Sequence, residues 1–297
     1  MPAFAALQDG FAQLSAPSKP SYAGTATSVA YGVDGCPDHG GCTEYTPGDY
    51  PSNIQVKNGT AIFVEGVYYL ENGLTLASNS FVRPSTATAA NASDQIGGTM
   101  FYFSGSSTVS VDANSGKPKG GATIDALNTT TGPVTTTCNY PPCNVLTNGI
   151  KCTTSSTVPS NIPATVGGNI LLGACTGTYG DSLGTSDPAG EQHNKLFFQD
   201  RSAKSVNPNW GGGGQFLLAG TMYFHSCRAS GAGTGCDSAP ADNYYSDTLT
   251  LQGNSASGTY ILGSIVVDNL ALGGTSGINM DLNPNAAFNE LKVSLLQ

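Results

Sequence analysis

The chain has 297 residues, only 10% of them charged, and a net charge of −9 from 11 basic and 20 acidic residues. An average soluble domain is about 25% charged, so helical bundles and coiled coils, which need charged faces, are excluded; a hydrophobic content of 39% with 13 Tyr and 11 Phe excludes disorder. The basic residues form no patch for nucleic acid or an anionic membrane, and no apolar run is long enough to predict a transmembrane helix.

What remains is a β-rich, turn-rich protein with a surface of Ser, Thr, Asn and Gly. Residues 1–50 read as an extended lead-in, with at most one or two helical turns over 4–14. The lead-in ends in the DGCPDHGGC loop, which holds Asp34, Cys36, Asp38, His39 and Cys42. Residues 51–297 read as a single β-domain with two insertions. A first β block covers 51–126, and a Thr/Gly/Pro/Asn-rich insertion covers 127–190. The core resumes over 191–226 with KLFFQDRS and GGGGQFLLAGTMYF, and a smaller insertion spans 227–246. Residues 247–297 are the last β segments, closing with the alternating Leu291-Lys292-Val293-Ser294-Leu295.

Eight cysteines fall in local pairs: Cys36 with Cys42, Cys138 with Cys143, Cys152 with Cys175, and Cys227 with Cys236. An even count at such spacings predicts disulfides and an oxidising compartment, although eight cysteines allow 105 pairings. The N-terminal residues lack the basic and apolar parts of a signal peptide. The expectation is therefore a fragment of a longer exported chain.

Two patterns recur. The first is apolar–Ser/Thr–apolar followed by Asn-Ser, at Leu74-Thr75-Leu76 with Asn79, Val109-Ser110-Val111 with Asn114, and Leu249-Thr250-Leu251 with Asn254. Looser copies begin at Ile54 and Leu270. The second is Gly-Thr before an apolar run, at Gly59, Gly98, Gly220 and Gly258. Its steps, 59 to 98 and 220 to 258, are 39 and 38 residues, and their near-equality in the two halves suggests a solenoid with two insertions.

These patterns predict an all-β fold, a right-handed parallel β-solenoid with disulfide-stapled loops. Each short strand is too small to bury its apolar face alone, so successive coils stack and share one core. Alternation sends Leu or Val inward and Ser or Thr outward. Asn79, Asn114 and Asn254 serve as turn residues, since Asn adopts positive φ with little strain. A β-sandwich is the runner-up.

Several segments in this order resemble a known family. GVYYLENGLTLASNS (66–80), GTMFYFSGSSTVSV (98–111), KLFFQDRS (195–202), GTMYF (220–224) and DTLTLQGNS (247–255) are similar to the β-rich C-terminal region of TadG-like proteins, the Tad/Flp pilus-associated proteins of bacteria. The resemblance covers roughly 1–126 and 191–285 and omits the insertion 127–190. It implies a surface-exposed β-helix-like domain behind an N-terminal membrane anchor, with pilus assembly or adhesion as its role. It implies no catalytic residues.

Candidate chemistry is sparse. Asp200 and Arg201 follow an apolar strand, with Glu191 and His193 nearby in sequence. Asp200, Arg201 and Glu191 are the residues a β-helix polysaccharide lyase or glycosidase would use, because glycosidases need two carboxylates about 5–10 Å apart. The competing reading is that Asp200 and Arg201 tie a turn. Asp38, His39 and the thiolates of Cys36 and Cys42 are metal candidates, but one His with a single Cys pair lacks zinc-finger spacing, so a disulfide-closed turn is favoured. His225 reads as a coil-edge residue. Gly211–Gly214 lack the GK[ST] ending of a phosphate loop and read as close backbone passage near Trp210. The sequons at Asn58, Asn91 and Asn128 matter only in a eukaryotic source.

The leading expectation is a non-enzymatic protein of the cell surface or a pilus, contacting proteins or glycans. No cofactor, metal, nucleic acid or membrane span is expected. The alternatives are the carbohydrate-active enzyme and an ice- or mineral-binding face, which would need outward Thr in register.

Overall fold

The computed structural model describes residues 16–77, 80–85, 87, 99–104, 108–112, 127–128, 143–146, 149–152, 165–166, 170–173, 195–201, 206–211, 216–225, 247–253, 259–262 and 265–274. The chain opens with β1 (Ala26–Val29), β2 (Cys42–Tyr45), β3 (Gly48–Tyr50) and β4 (Ile54–Lys57). Next come β5 (Thr60–Phe63), β6 (Gly66–Leu70) and β7 (Gly73–Ala77). They are followed by β8 (Phe81–Pro84), β9 (Thr99–Phe103) and β10 (Thr108–Asp112). Four short strands intervene: β11 (Leu127–Asn128), β12 (Cys143–Leu146), β13 (Gly149–Cys152) and β14 (Thr165–Val166). The series resumes with β15 (Ile170–Gly173), β16 (Lys195–Gln199) and β17 (Asn209–Gly211). Then follow β18 (Phe216–Ala219), β19 (Thr221–Phe224) and β20 (Thr248–Gly253). The last are β21 (Thr259–Leu262), β22 (Ile265–Val267) and β23 (Asn269–Gly274).

The fold is all-β with parallel sheets. Sheet I has the order β1-β2-β5-β8-β15-β18-β21, sheet II β3-β6-β9-β16-β19-β22, and sheet III β4-β7-β10-β17-β20-β23. From β2 onward the chain enters sheets I, II and III in that sequence, then returns to sheet I. Neighbours in these sheets are parallel, except that β1 lies antiparallel on β2. Among the described residues no helix is long and apolar enough to cross a membrane.

Register shows which sequence pattern marks a turn of the chain. Ile54 lies beside Leu74, Leu74 beside Val109, and Leu249 beside Leu270. The apolar–hydroxyl–apolar copies therefore share sheet III and stand in line. Thr43 lies beside Ala61, Ile54 beside Leu74 and Thr60 beside Phe81, so neighbouring strands of one sheet are 18 to 21 residues apart in sequence here. The Gly-Thr steps do not measure a turn. Thr60 and Thr259 begin strands of sheet I, whereas Thr99 and Thr221 begin strands of sheet II. The pattern therefore marks strand entry in two different sheets.

Strands β1, β2 and β3 lie within the stretch read as a lead-in, and β15 lies within the stretch read as an insertion. Asn79, Asn114, Asn254, Glu191 and His193 fall outside the described residues. The turn role of Asn is seen instead at Asn58, which ends the Ile54 copy with φ 57°. Two small antiparallel sheets pair β11 with β14 and β12 with β13, setting the backbone of Cys143 opposite Cys152.

One core draws on all three sheets. Sheet I supplies Phe63, Val82 and Leu172, sheet II supplies Tyr68, Phe101 and Phe197, and sheet III supplies Leu74, Val111 and Trp210. In sheet II the inward rings pack in a column: Tyr68 to Phe101 at 5.0 Å and Phe101 to Phe197 at 5.6 Å between centroids stand in register, and Tyr50, whose strand partner is Leu70, lies 5.9 Å from Tyr68. Each such pair adds about 0.5–1.5 kcal/mol beyond area burial. A second ladder, Tyr69, Tyr102, Phe198 and Tyr223, occupies the opposite face of the same sheet. Both faces of sheet II are buried there, which explains why TMFYF and KLFFQ are apolar without alternation.

The corner from sheet I to sheet II is locked by tyrosine. The Tyr68 hydroxyl donates to the carbonyls of Tyr45 (2.8 Å) and Val64 (2.7 Å). One turn earlier, Tyr50 donates to Thr25 (3.0 Å) and Thr46 (2.7 Å). The bend itself needs glycine at Gly66, where φ is 136° and a Cβ would lie 2.6 Å from Pro47 Cβ.

Candidate functional site

Three regions concentrate polar chemistry. The first is the corner between sheets II and III. Glu71, Ser104 and Asp200 each donate their amide to the carbonyl one strand below, at Tyr50, Leu70 and Phe103 respectively. They form a column, continued by His225 after β19 and Asp268 after β22.

Asp200 sits beside the buried Tyr102. Burial first, then the charge of Asp200, push the Tyr102 phenol well above its usual range, and the two side chains share a hydrogen bond. Arg201 lies close enough to oppose that shift. Asp200 and Arg201 thus act at a turn against the outer aromatic ladder.

The centre of this corner is Asp247, which sequence reasoning missed. It is fully buried, and Gln199 Nε2 donates to its Oδ2 at 2.8 Å. The amides of Val206 (2.6 Å) and Asn207 (3.1 Å) donate to its Oδ1. The Asp247 amide donates to Asp268 Oδ2 at 2.8 Å, and the other Asp268 oxygen pairs with His225 Nδ1. Burial, the largest cause, raises the Asp247 pKa, and the charge of Asp268 adds to it; the three donors act against both. The network ties β16, β19, β20 and β22 together. Its exposed end is the His225–Asp268 pair, where the carboxylate fixes the imidazole orientation.

The signal for Asp247 was present but weak. A polar Asn or Asp precedes strand after strand of sheet III: Asn53 before β4, Asn72 before β7, Asp247 before β20 and Asp268 before β23. Asn53 Nδ2 donates to Thr75 Oγ1 at 3.1 Å, and Asn72 donates to the Pro51 carbonyl. A single Asp or Asn before a strand looks like ordinary turn chemistry.

The second region is the loop after β1. Cys36 and Cys42 form a disulfide with Cα atoms 5.8 Å apart. Asp38 is buried; its Oδ1 accepts from the Gly40 amide at 2.8 Å and its Oδ2 from Thr60 Oγ1 at 2.6 Å. His39 stacks on Tyr31 with centroids 3.9 Å apart. The thiols are consumed, and Asp38 and His39 serve different neighbours. No group of three or more His, Cys, Asp or Glu among the described residues is placed to hold a metal.

Beside this loop, Glu44 is buried, and Ser85 Oγ donates to its Oε2 at 2.9 Å. Burial, opposed by that hydrogen bond and helped by nearby Asp34, raises its pKa. Arg83 is also buried; its Nη1 donates to the Val82 carbonyl at 2.8 Å, and burial lowers its pKa to about 10.

The third region is the outer face of sheet III. Gln55, Thr75, Ser110, Asn209, Thr250 and Ala271 stand in one row across six strands. At about 4.8 Å between strands, the row is roughly 24 Å long. Gln55 and Asn209 are exposed and the others are partly exposed. Alternation turns their neighbours Ile54, Leu74, Val109 and Leu249 into the core. The row is uncharged and presents hydroxyl and amide groups. Thr recurs only at 75 and 250, so the row lacks the regular Thr array of an ice-binding face.

No family model, no curated protein and no solved structure matches the chain.

Proposed function

We propose that the chain winds as a right-handed parallel β-solenoid and works as a non-enzymatic contact module outside the cytoplasm. The fixed order of sheets I, II and III, repeated through parallel strands, supports the winding. The observation that carries the function is the in-register row Gln55–Thr75–Ser110–Asn209–Thr250–Ala271. A rigid, neutral row of donors and acceptors suits repeated hydrogen bonding to a glycan or a polar protein surface, with affinity gained through multivalency. The Cys36–Cys42 disulfide supports an oxidising compartment. A cell-surface or pilus-associated setting rests on the TadG-like segments alone.

The reading is tested on a glycan array and a polysaccharide panel. Wild type should bind at least one neutral glycan, and Asn209→Lys with Thr250→Lys should abolish that binding without changing the thermal midpoint. A face variant that binds as wild type does would refute it.

A second reading, the carbohydrate-active enzyme, draws on the position of Asp200 in one corner column with His225 and Asp268. Release of reducing sugar that Asp200→Ala abolishes would establish it in place of the first.

A further inference from the structure

We infer that residues 291–295 of this chain dock on the outer edge of β23 as a seventh strand of sheet III and cover the exposed end of the core. Residues 275–297 lie outside the described residues, and the segment is assigned from its sequence and from the edge it follows.

The two ends of sheet III differ. β23 is its last strand, and among the described residues no strand pairs with its outer edge. Leu270 lies beside Leu249 and Leu272 beside Leu251, so both share the face those residues turn to the core. Leu249 is fully buried, yet Leu270 is 44% exposed and Leu272 52%. At the opposite edge the equivalent Ile54 and Val56 are buried. The chain itself covers that beginning: β1 lies on β2, and the Gly24 amide donates to the Asp49 carbonyl of β3 at 3.0 Å. The backbone at the far edge is open as well. The Asn269 amide donates to the Asp247 carbonyl at 2.9 Å, so residue 269 faces β20. Alternation in a parallel ladder then turns the amides of Leu270 and Leu272 outward. Stacked strands need a cap at such an end.

Register names the occupant. Each residue of β23 follows its β20 partner by 21 positions, as Leu270 follows Leu249. The same step takes Leu270 to Leu291 and Leu272 to Val293. Leu291-Lys292-Val293-Ser294-Leu295 has the alternation of the other sheet III strands, so one face of it is apolar and suits Leu270 and Leu272. Ile265 and Val267 of β22, only partly buried, are taken by that step to Ala286 and Phe288. Lys292 comes beside Ala271 on the solvent face and puts a charge on the new edge, as the exposed Lys57 does on β4 at the other. Edge lysines discourage further strand addition. The assignment rests on strand pairing and not on glycan binding, so either reading can fail without the other.

The test is limited tryptic digestion of the native full chain. Lys292 is the only Lys or Arg after Arg228, so cleavage there releases Val293–Gln297, which mass spectrometry quantifies. A synthetic peptide of residues 283–297 is the undocked reference. Wild type should release Val293–Gln297 about tenfold or more slowly than the reference, because cleavage follows the open population. Leu272→Asp on β23 and Leu291→Ser on the docking segment should each speed release about threefold or more, with the circular dichroism of wild type. Release from wild type at the reference rate, or a rate that either variant leaves unchanged, overturns the assignment. So does a dimer in light scattering that Leu272→Asp dissociates, since a second copy then covers Leu270 and Leu272.

Discussion

Tyr68→Phe is the sharpest test of how the turns are locked together. The side chain is fully buried in the core, and its hydroxyl donates to two carbonyls, Tyr45 O at 2.8 Å and Val64 O at 2.7 Å. Tyr45 O also accepts the Val64 amide at 3.0 Å, so it keeps a partner when the hydroxyl is lost. Val64 O loses the hydroxyl at a dry corner. A net hydrogen bond is worth about 0.5–1.5 kcal/mol, and stranding a buried acceptor costs about 1–3 kcal/mol. Removing the phenolic oxygen also relieves its own desolvation, so the expected loss is about 1–2 kcal/mol. Tyr50→Phe is the internal control: it has the same geometry on the outermost turn but partial solvent access, and should cost about 0.5–1 kcal/mol. Urea unfolding followed by circular dichroism reads both. The Tyr68→Phe midpoint should fall further than that of Tyr50→Phe, with an unchanged slope. A neutral Tyr68→Phe, or the reverse ranking, would refute the corner lock.

Further predictions follow from the same geometry. Gly66→Ala forces a Cβ to within 2.6 Å of Pro47 at φ 136°, and should cost more than about 2 kcal/mol by the same urea titration. Replacing Cys36 and Cys42 by Ser opens a loop with a sequence separation of 6, for an expected loss of about 2 kcal/mol in differential scanning calorimetry. The pH dependence has a definite sign. Burial raises the folded-state pKa values of Glu44, Glu65 and Asp247, so folding favours their protonated forms. Their contribution is fully present below the unfolded carboxyl range, about 3.9–4.3, and is lost as pH rises through the folded values. The thermal midpoint should therefore rise as pH falls from neutrality toward the unfolded carboxyl range, and the rise should shrink in Asp247→Asn.

Sheet III was the most legible part of the fold. Leu74, Val109 and Leu249 alternate with hydroxyl residues because one face meets the core and the other meets solvent. That asymmetry survives in the sequence as a repeated pattern. Sheet II was not legible in the same way. Tyr68 and Tyr69, or Phe197 and Phe198, are adjacent and point to opposite buried faces, so alternation vanishes. The Gly-Thr motif opens strands of two different sheets, and its glycines are not equivalent: Gly220 holds φ 128°, whereas Gly59 has open space around it.

At the candidate sites, the Cys36–Cys42 disulfide was legible because its loop is short and local. Asp247 was not, because its partners Gln199, Val206 and Asp268 come from distant turns and leave no local spacing. The polar row of sheet III lay half in view. Its Thr and Ser members were visible as pattern positions, whereas Asn209, inside Asn207-Pro208-Asn209-Trp210, joins the row only through its pairing with Ser110 and Thr250.

The most direct measurement of the contact reading is an equilibrium depletion isotherm on whichever neutral polysaccharide binds the wild type. It compares wild type with Asn209→Lys plus Thr250→Lys. The account predicts about tenfold or greater weakening for the sheet III variant, and no soluble sugar released by either protein. Equal affinity for the sheet III variant, or sugar release by the wild type, would contradict it.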